Sequence, residues 1–259
     1  MASKETNLAK LYHLNSSHVR SRVPRTDVDL DRTPLRFRTY PGSERRDLPG
    51  RDYDLAVALG DVLQRRRSVR EFRLQSLGLP LLGRLLHASY GLRSSHEIDA
   101  EWSSDRSAPS AGALYPLELY VATQAVDGLK DAVYHYDARA HQLELRRSGL
   151  VHAELTSMTI AQQMIRESNL VIVISAIFER TMWKYGQRGY RYVWLDAGHV
   201  GQNLCLCATA LGLGAVAIGG FFDDEVNALI RLPTAEEEAI YLVCVGQPGD
   251  DAQMVDVSL

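Results

Sequence analysis

The run Leu170–Phe178 (LVIVISAIF) limits the folds open to this chain more than any other segment. It carries no charge and is rich in β-branched residues, which suit a pleated, packed surface. Its nine residues fall far short of the ~20 that a membrane-spanning helix needs. It therefore reads as a fully buried strand, opening at Asn169, and Ile240–Gly246 (IYLVCVG) reads as another. Buried strands need cover. A helical pattern from about Arg188 to Leu211 offers it, with Val193, Ala197, Val200, Leu204, Cys207 or Ala208, and Leu211 on one apolar face. The expectation is an α+β fold in one domain, a central mixed or antiparallel sheet flanked by long helices.

Shorter signals fill in the order of elements. Leu117–Thr123, Ala132–Tyr136, Gln142–Arg146 and Gly214–Gly219 read as strands. Leu55, Leu59, Val62 and Leu63 suggest a helix starting at Tyr53. Leu81, Leu82, Leu85 and Leu86 suggest another after Pro80, stopping at Gly91. Ala161–Glu167 and Asp224–Ile230 fit short helices, and serine-rich 93–110 fits a loop. Residues 1–50, with Pro24, Pro34, Pro41 and Pro49, keep no helical period. They read as an extended N-terminal arm, wrapped on a partner or on its own domain, with a disordered tail as the alternative. Residues 51–259 form the domain proper.

Charge and cysteine usage narrow the function. A net charge of −3 argues against a nucleic-acid partner. Residues 1–73 nevertheless hold 16 Lys+Arg against 10 Asp+Glu, while the rest holds 13 against 22, so an anion site belongs near the N-terminal end. The polar start MASKETNLAK lacks a signal-peptide core. A cytoplasmic protein without a membrane anchor is expected. Cys205, Cys207 and Cys244 have neither disulfide-framework nor zinc spacing, so buried free thiols and no metal site are expected.

Several constellations could carry chemistry. Arg66, Arg67, Ser68 and Arg70 sit at a helix end, where guanidinium forks and a hydroxyl suit a phosphate. A solvated surface is the plain alternative. Ala108–Pro116 (APSAGALYP) is a run of small residues between prolines, which lets a backbone approach a flat or phosphorylated ligand. An ordinary loop is the alternative. Glycines flank the strand at 214–219, Gly219 and Gly220 among them, yet no GxGxxG fingerprint or P-loop is present. Lys184 is one of only four lysines and stands beside Tyr185. A desolvated lysine next to a phenol can serve as base and donor, although a snorkelling lysine on an amphipathic helix fits too. Gly198 and Gly201 allow close packing on the long helix, and His199 between them fits a helix contact.

Taken together, Tyr12-His13, RRSVREF at 66–72, PSAGALYP at 109–116, KYGQRGYRYVWLDAGHVGQNL at 184–204, ALGLGAVAIGGF at 210–221 and the closing VGQP at 245–248 resemble the nitroreductase superfamily. They resemble most its SagB/McbC-type branch, the azoline dehydrogenases of thiazole- and oxazole-modified peptides. The resemblance implies a nitroreductase-like fold, an intertwined homodimer and FMN at the subunit interface. It assigns Arg66, Ser68 and Arg70, with Arg67 a weaker member, to the cofactor phosphate, ribityl chain and ring edge. Ser110, Ala111, Gly112 and Ala113 would pass along the partner subunit's cofactor, and Gly219 and Gly220 would lie near the redox edge of the ring. Lys184 and Tyr185 would be the catalytic pair, acting on a peptide or carrier-tethered azoline. The resemblance also leaves room for a cyclodehydratase complex as a further partner. One departure stands out. No Lys or Arg follows Val245, so the basic C-terminal residues typical of nitroreductases are missing. A different flavin oxidoreductase of this fold, such as a dehydroamino-acid reductase or an NAD(P)H-dependent nitroreductase, remains the alternative, as does a non-catalytic scaffold.

Overall fold

The computed structural model describes residues 7–20, 30–93, 105–160, 162–233 and 235–250. Most of the serine-rich loop, 94–104, lies outside them, as do parts of the arm. Eight strands form one sheet: β1 (Arg45–Asp47), β2 (Phe72–Arg73), β3 (Leu117–Thr123), β4 (Ala132–Asp137), β5 (Gln142–Ser148), β6 (Leu170–Ala176), β7 (Gly214–Ile218) and β8 (Glu238–Pro248). Their order is β1-β5-β4-β3-β6-β8-β2, with β7 also against β8, and every pairing of these strands is antiparallel.

The run that opened the sequence is the centre of this sheet. All of β6 is buried. Its side chains alternate between two layers, as the period of a strand requires. Leu170, Ile172 and Ile174 join one core with helices α3 (Leu79–Tyr90) and α6 (Gln187–Ala210). Val171 and Val173 join the other, beneath α4 (His152–Ser157) and α7 (Asp223–Leu229). Full burial of such side chains contributes roughly 1.5–3 kcal/mol each. The long helix buries the face expected of it, from Val193 to Ala208. Gly201 lets β8 pack close to that helix, since a Cβ there would stand 2.7 Å from the Tyr241 ring.

Several elements depart from the sequence reading. Helix α2 (Leu59–Arg65) begins well after Tyr53 and buries only Val62. Upstream, Asp52 accepts Asp54 N–H (3.1 Å) and pairs with Arg84 of α3 (2.7 Å), a local turn that competes with a helix start. The segment 161–167 gives only a short 3₁₀ turn, Gln163–Glu167. The arm is not extended throughout. It contains α1 (Leu8–Asn15), capped by the Asn7 side chain, and it adds β1 to the sheet edge. Helix α1 escapes a core-facing pattern because Leu8, Leu11 and Leu14 all face outward. Hydrogen bonds at its C-terminal end hold it to α6 instead: Arg188 donates to Ser16 O (3.2 Å), and Arg191 donates to Ser16 Oγ (2.7 Å) and His13 O.

Candidate active site

The small-residue loop is tied down before it reaches β3. Arg106 is buried with its guanidinium 4.2 Å from the Tyr90 ring centre, and its backbone N–H donates to Tyr115 Oη (3.2 Å). Ser110 Oγ accepts the N–H of Tyr115 (2.9 Å) and donates to Asp196 of α6 (2.5 Å). Inside that ring the backbone turns left-handed, with φ of 62° at Gly112, 54° at Ala113 and 47° at Tyr115. Left-handed backbone costs a residue with a Cβ about 1–2 kcal/mol. Such strain persists only where surrounding contacts impose it.

Helix α5 (Glu179–Tyr185) aims the lysine–tyrosine pair at this loop. Its root is fixed by Arg180, which is 3% exposed. Arg180 pairs with Glu118 of β3 (2.7 Å) and donates to Leu35 O (2.7 Å) and Tyr115 O (3.4 Å). Glu118 in turn meets His135 (3.1 Å), whose other ring nitrogen meets Glu144 (3.1 Å). Burial opposes charge on His135, but the two carboxylates prevail and raise its pKa to about 9. Burial likewise opposes charge on Glu118, while Arg180 and His135 hold it down at about 2. At the far end of α5, Gly186 (φ 53°) breaks the helix before α6 begins.

Lys184 and Tyr185 occupy the last turn of α5, and both tips reach Gly112. A Cβ on that glycine would stand 2.5 Å from Tyr185 Oη and 3.2 Å from Lys184 Nζ. The absent side chain and the left-handed φ together make glycine the residue that fits. Tyr185 packs edge-on against Tyr192 of α6 (5.1 Å). Burial first, then the nearby Tyr192 and Asp196, raise its pKa, so the phenol stays protonated and available as a donor.

The basic segment is built differently. It leaves α2 and runs beside β7, where Ser68 bridges Ala215 and Val69 N–H donates to Ala215 O (3.0 Å). Gly214 makes room for Val69, because a Cβ there would be 2.7 Å from it. Arg66 and Arg67 are half-buried, while Ser68 and Arg70 are exposed. Among the described residues, none of these three arginines forms an ion pair. Gly219 and Gly220 follow β7. Gly219 has open space where a Cβ would point, and Gly220 O accepts Ile160 N–H (3.0 Å).

The chain thus gathers Ser110, Ala111, Gly112, Lys184 and Tyr185 in one place. It sets Ser68 beside the strand that leads to Gly219 and Gly220. Among the described residues, no hydrogen bond or ion pair joins these two groups. Arg66 is near Cys205, whose thiol burial pushes up and Arg66 pulls down. Cys205 lies nine residues beyond Asp196 on α6, about 13 Å along a helix. A cavity of about 670 Å³ between Leu35–Thr39, Phe178–Arg180 and residues 235–238 borders the root of α5 and contains neither Lys184 nor Tyr185. The cysteines are free, two buried and Cys205 half-buried. His199 is exposed rather than packed. Sequence reasoning missed Asp196, Arg180 and Arg106. Asp196 left a signal, a carboxylate inside the apolar stripe Val193–Val200, where an unpaired charge would be costly.

The frame of the site is an antiparallel sheet between two helical layers, with the polar pair of α5 set over a strained loop. The profile of the Nitroreductase family matches residues 63–247, and the chain belongs to that family. The chain's relatives include the trifolitoxin-processing protein TfxB and the microcin B17-processing protein McbC. It is 38% identical over 191 residues to MJ1384 of Methanocaldococcus jannaschii, which carries a nitroreductase name, covering 74% of this chain and 91% of that one. It is 32% identical over 140 residues to the trifolitoxin-processing protein TfxB of Rhizobium leguminosarum bv. trifolii, covering 52% of this chain but only 38% of TfxB. The Escherichia coli microcin synthetase McbBCD complex with truncated pro-MccB17 bound shares the fold, with a TM-score of 0.64 at 20% identity, over 94% of this chain and 92% of the matched one. No helix among the described residues is long and apolar enough to cross a membrane.

Proposed function

We propose that this chain is an FMN-dependent dehydrogenase that converts thiazoline or oxazoline rings to thiazole or oxazole in a peptide or carrier-tethered substrate. The convergence of Lys184 and Tyr185 on Gly112 carries the reading. An azoline ring loses two hydrogens on oxidation. The Lys184 amine takes the proton from the ring carbon beside the carbonyl, and the protonated Tyr185 phenol donates a hydrogen bond that orients the ring. FMN, when bound, would supply the acceptor for the hydride leaving the adjacent carbon, with dioxygen, reduced to hydrogen peroxide, as the final oxidant.

The residues present fit that cofactor. Arg66, Arg67 and Arg70 offer guanidinium groups without an ion-pair partner among the described residues, as a phosphate site requires. Ser68 adds a hydroxyl, and Gly219 leaves open space past β7. The ring side would be Ser110–Ala113 of a second subunit, which is why we infer a homodimer. The exposed Trp194 and Leu195 of α6 supply an apolar face for it. A processing complex with other proteins is compatible with the McbBCD likeness, as is a cytoplasmic location with the lack of a membrane-spanning helix among the described residues.

The test is incubation of the flavin-loaded protein with an azoline peptide and dioxygen. Loss of two hydrogens from the peptide is expected. Lys184→Ala should keep its flavin and lose turnover by about 10²–10⁴-fold. Undiminished turnover in that variant would remove Lys184 from the chemistry. The likeness to MJ1384 favours a second reading, an NAD(P)H-dependent nitroreductase. Consumption of NAD(P)H with a nitroarene, and inertness toward azoline peptides, would select it.

A further inference from the structure

We propose that Asp196 is a positioning residue for the Lys184–Tyr185 pair: from α6, its carboxylate holds the loop 110–115 in the strained shape that leaves the pair its room at Gly112. The proposal rests on the reading above for what the pair does, but not for the geometry that Asp196 controls.

Asp196 is 4% exposed and lies on the helix face that carries Val193, Ala197 and Val200 into the core. A carboxylate in such surroundings needs hydrogen-bond donors. Its hydrogen bond comes from the loop: Ser110 Oγ donates at 2.5 Å, with the backbone N–H of Ala111 beside it. Ser110 Oγ also accepts the N–H of Tyr115 at 2.9 Å. One hydroxyl therefore links the helix to both ends of the turn. The three left-handed residues, Gly112, Ala113 and Tyr115, lie within the span this link closes. Relaxing Ala113 or Tyr115 toward ordinary backbone would swing Gly112 away from Tyr185 Oη and Lys184 Nζ, or into them. Asp196 makes no hydrogen bond to either tip. Beyond the charge it presents to Tyr185, its effect runs through the loop.

The experiment compares Asp196→Asn, Asp196→Ala, Ser110→Ala and the double variant Ser110→Ala/Asp196→Ala in the full-length protein. Hydrogen exchange across residues 108–116 is followed alongside thermal unfolding and steady-state kinetics on an azoline peptide. Exchange of the loop should speed up by roughly tenfold in Asp196→Ala, while β3 and the core of α6 stay protected. The kcat should fall by about 10²-fold with KM nearly unchanged, the scale expected for a misplacement near 1 Å. Asp196→Asn keeps one acceptor oxygen and should recover part of the loss. The double variant should be no worse than the more damaging single change, since both break the same link. Unchanged loop exchange, additive losses, or a lowered unfolding temperature with kcat intact would each overturn the proposal. Should Asp196→Ala fail to fold, Asp196→Asn and Ser110→Ala still decide it. Should the azoline reading fail, the exchange result stands alone, because it requires no turnover.

Discussion

The lysine–tyrosine end and the arginine segment are finished to different degrees by the chain itself. At the first, every charge that positions α5 already has a partner: Arg180 with Glu118, Glu118 with His135, and His135 with Glu144. At the second, Arg66, Arg67 and Arg70 have no ion-pair partner among the described residues, and Arg70 faces solvent. A buried network fixes geometry before any ligand arrives, because its groups cannot fall back on water. An unpaired set of like charges repels itself and becomes favourable when an anion enters. On the proposed reading, one end orients a substrate and the other captures an anion.

The largest effect should come from Glu118→Gln. It keeps the shape of the side chain but leaves Arg180 buried without a counter-charge. A loss of about 3–5 kcal/mol in denaturant unfolding is expected. Arg67→Ala, by contrast, should change stability by no more than about 0.5 kcal/mol. Equal losses would break the contrast between the two ends.

Next comes pH. His135, raised from 6.5 to about 9, contributes stability that is complete below pH 6.5 and is lost as pH climbs through 9. His141 and His152, lowered by burial from 6.5 to about 4, contribute stability present above 6.5 and lost as pH falls toward 4. Unfolding midpoints should therefore peak near pH 6.5. His135→Gln should flatten the alkaline limb. An alkaline limb unchanged in that variant would show that the network does not hold a charged histidine.

Gly112→Ala sharpens the comparison from within the first end. The new Cβ meets only the tips of Tyr185 and Lys184, which can move aside. Turnover should drop about 10²-fold, while stability falls by only about 1–2 kcal/mol for the left-handed backbone. A large stability loss with full turnover would mean that the pair does not work at this glycine. At the second end the effect should fall on the cofactor and not on the fold. Arg70→Ala should weaken FMN binding by about 1.5–3 kcal/mol and leave the flavin-free protein as stable as before. Flavin titration at two ionic strengths checks both points, since an exposed charge is screened by salt.

Legibility in the sequence followed the range over which a signal acts. The strands β3, β6 and β8 and the helices α3 and α6 were readable because burial on a sheet face or helix stripe repeats over many residues. Helix α5 was not, because seven residues hold too few repeats to show a period, and Gly186 divides it from α6. Helix α1 was hidden because its leucines face away from the core. Of the candidate site, Lys184 was noticed for its rarity and Gly112 for its small neighbours, yet nothing local joins residues 72 positions apart.

By itself, then, the sequence determined the buried sheet, its long covering helix and the residue types available for chemistry, since each depends on composition and short-range periodicity. It also carried the motifs that mark the nitroreductase family. Only the tertiary structure decided that Tyr185 and Lys184 meet at Gly112, that Asp196 serves the loop rather than the core, and that Arg180 roots α5 in β3. Those contacts cross from one element to another. Their free energy depends on how the helices and strands pack, and no local pattern of residues encodes that distance.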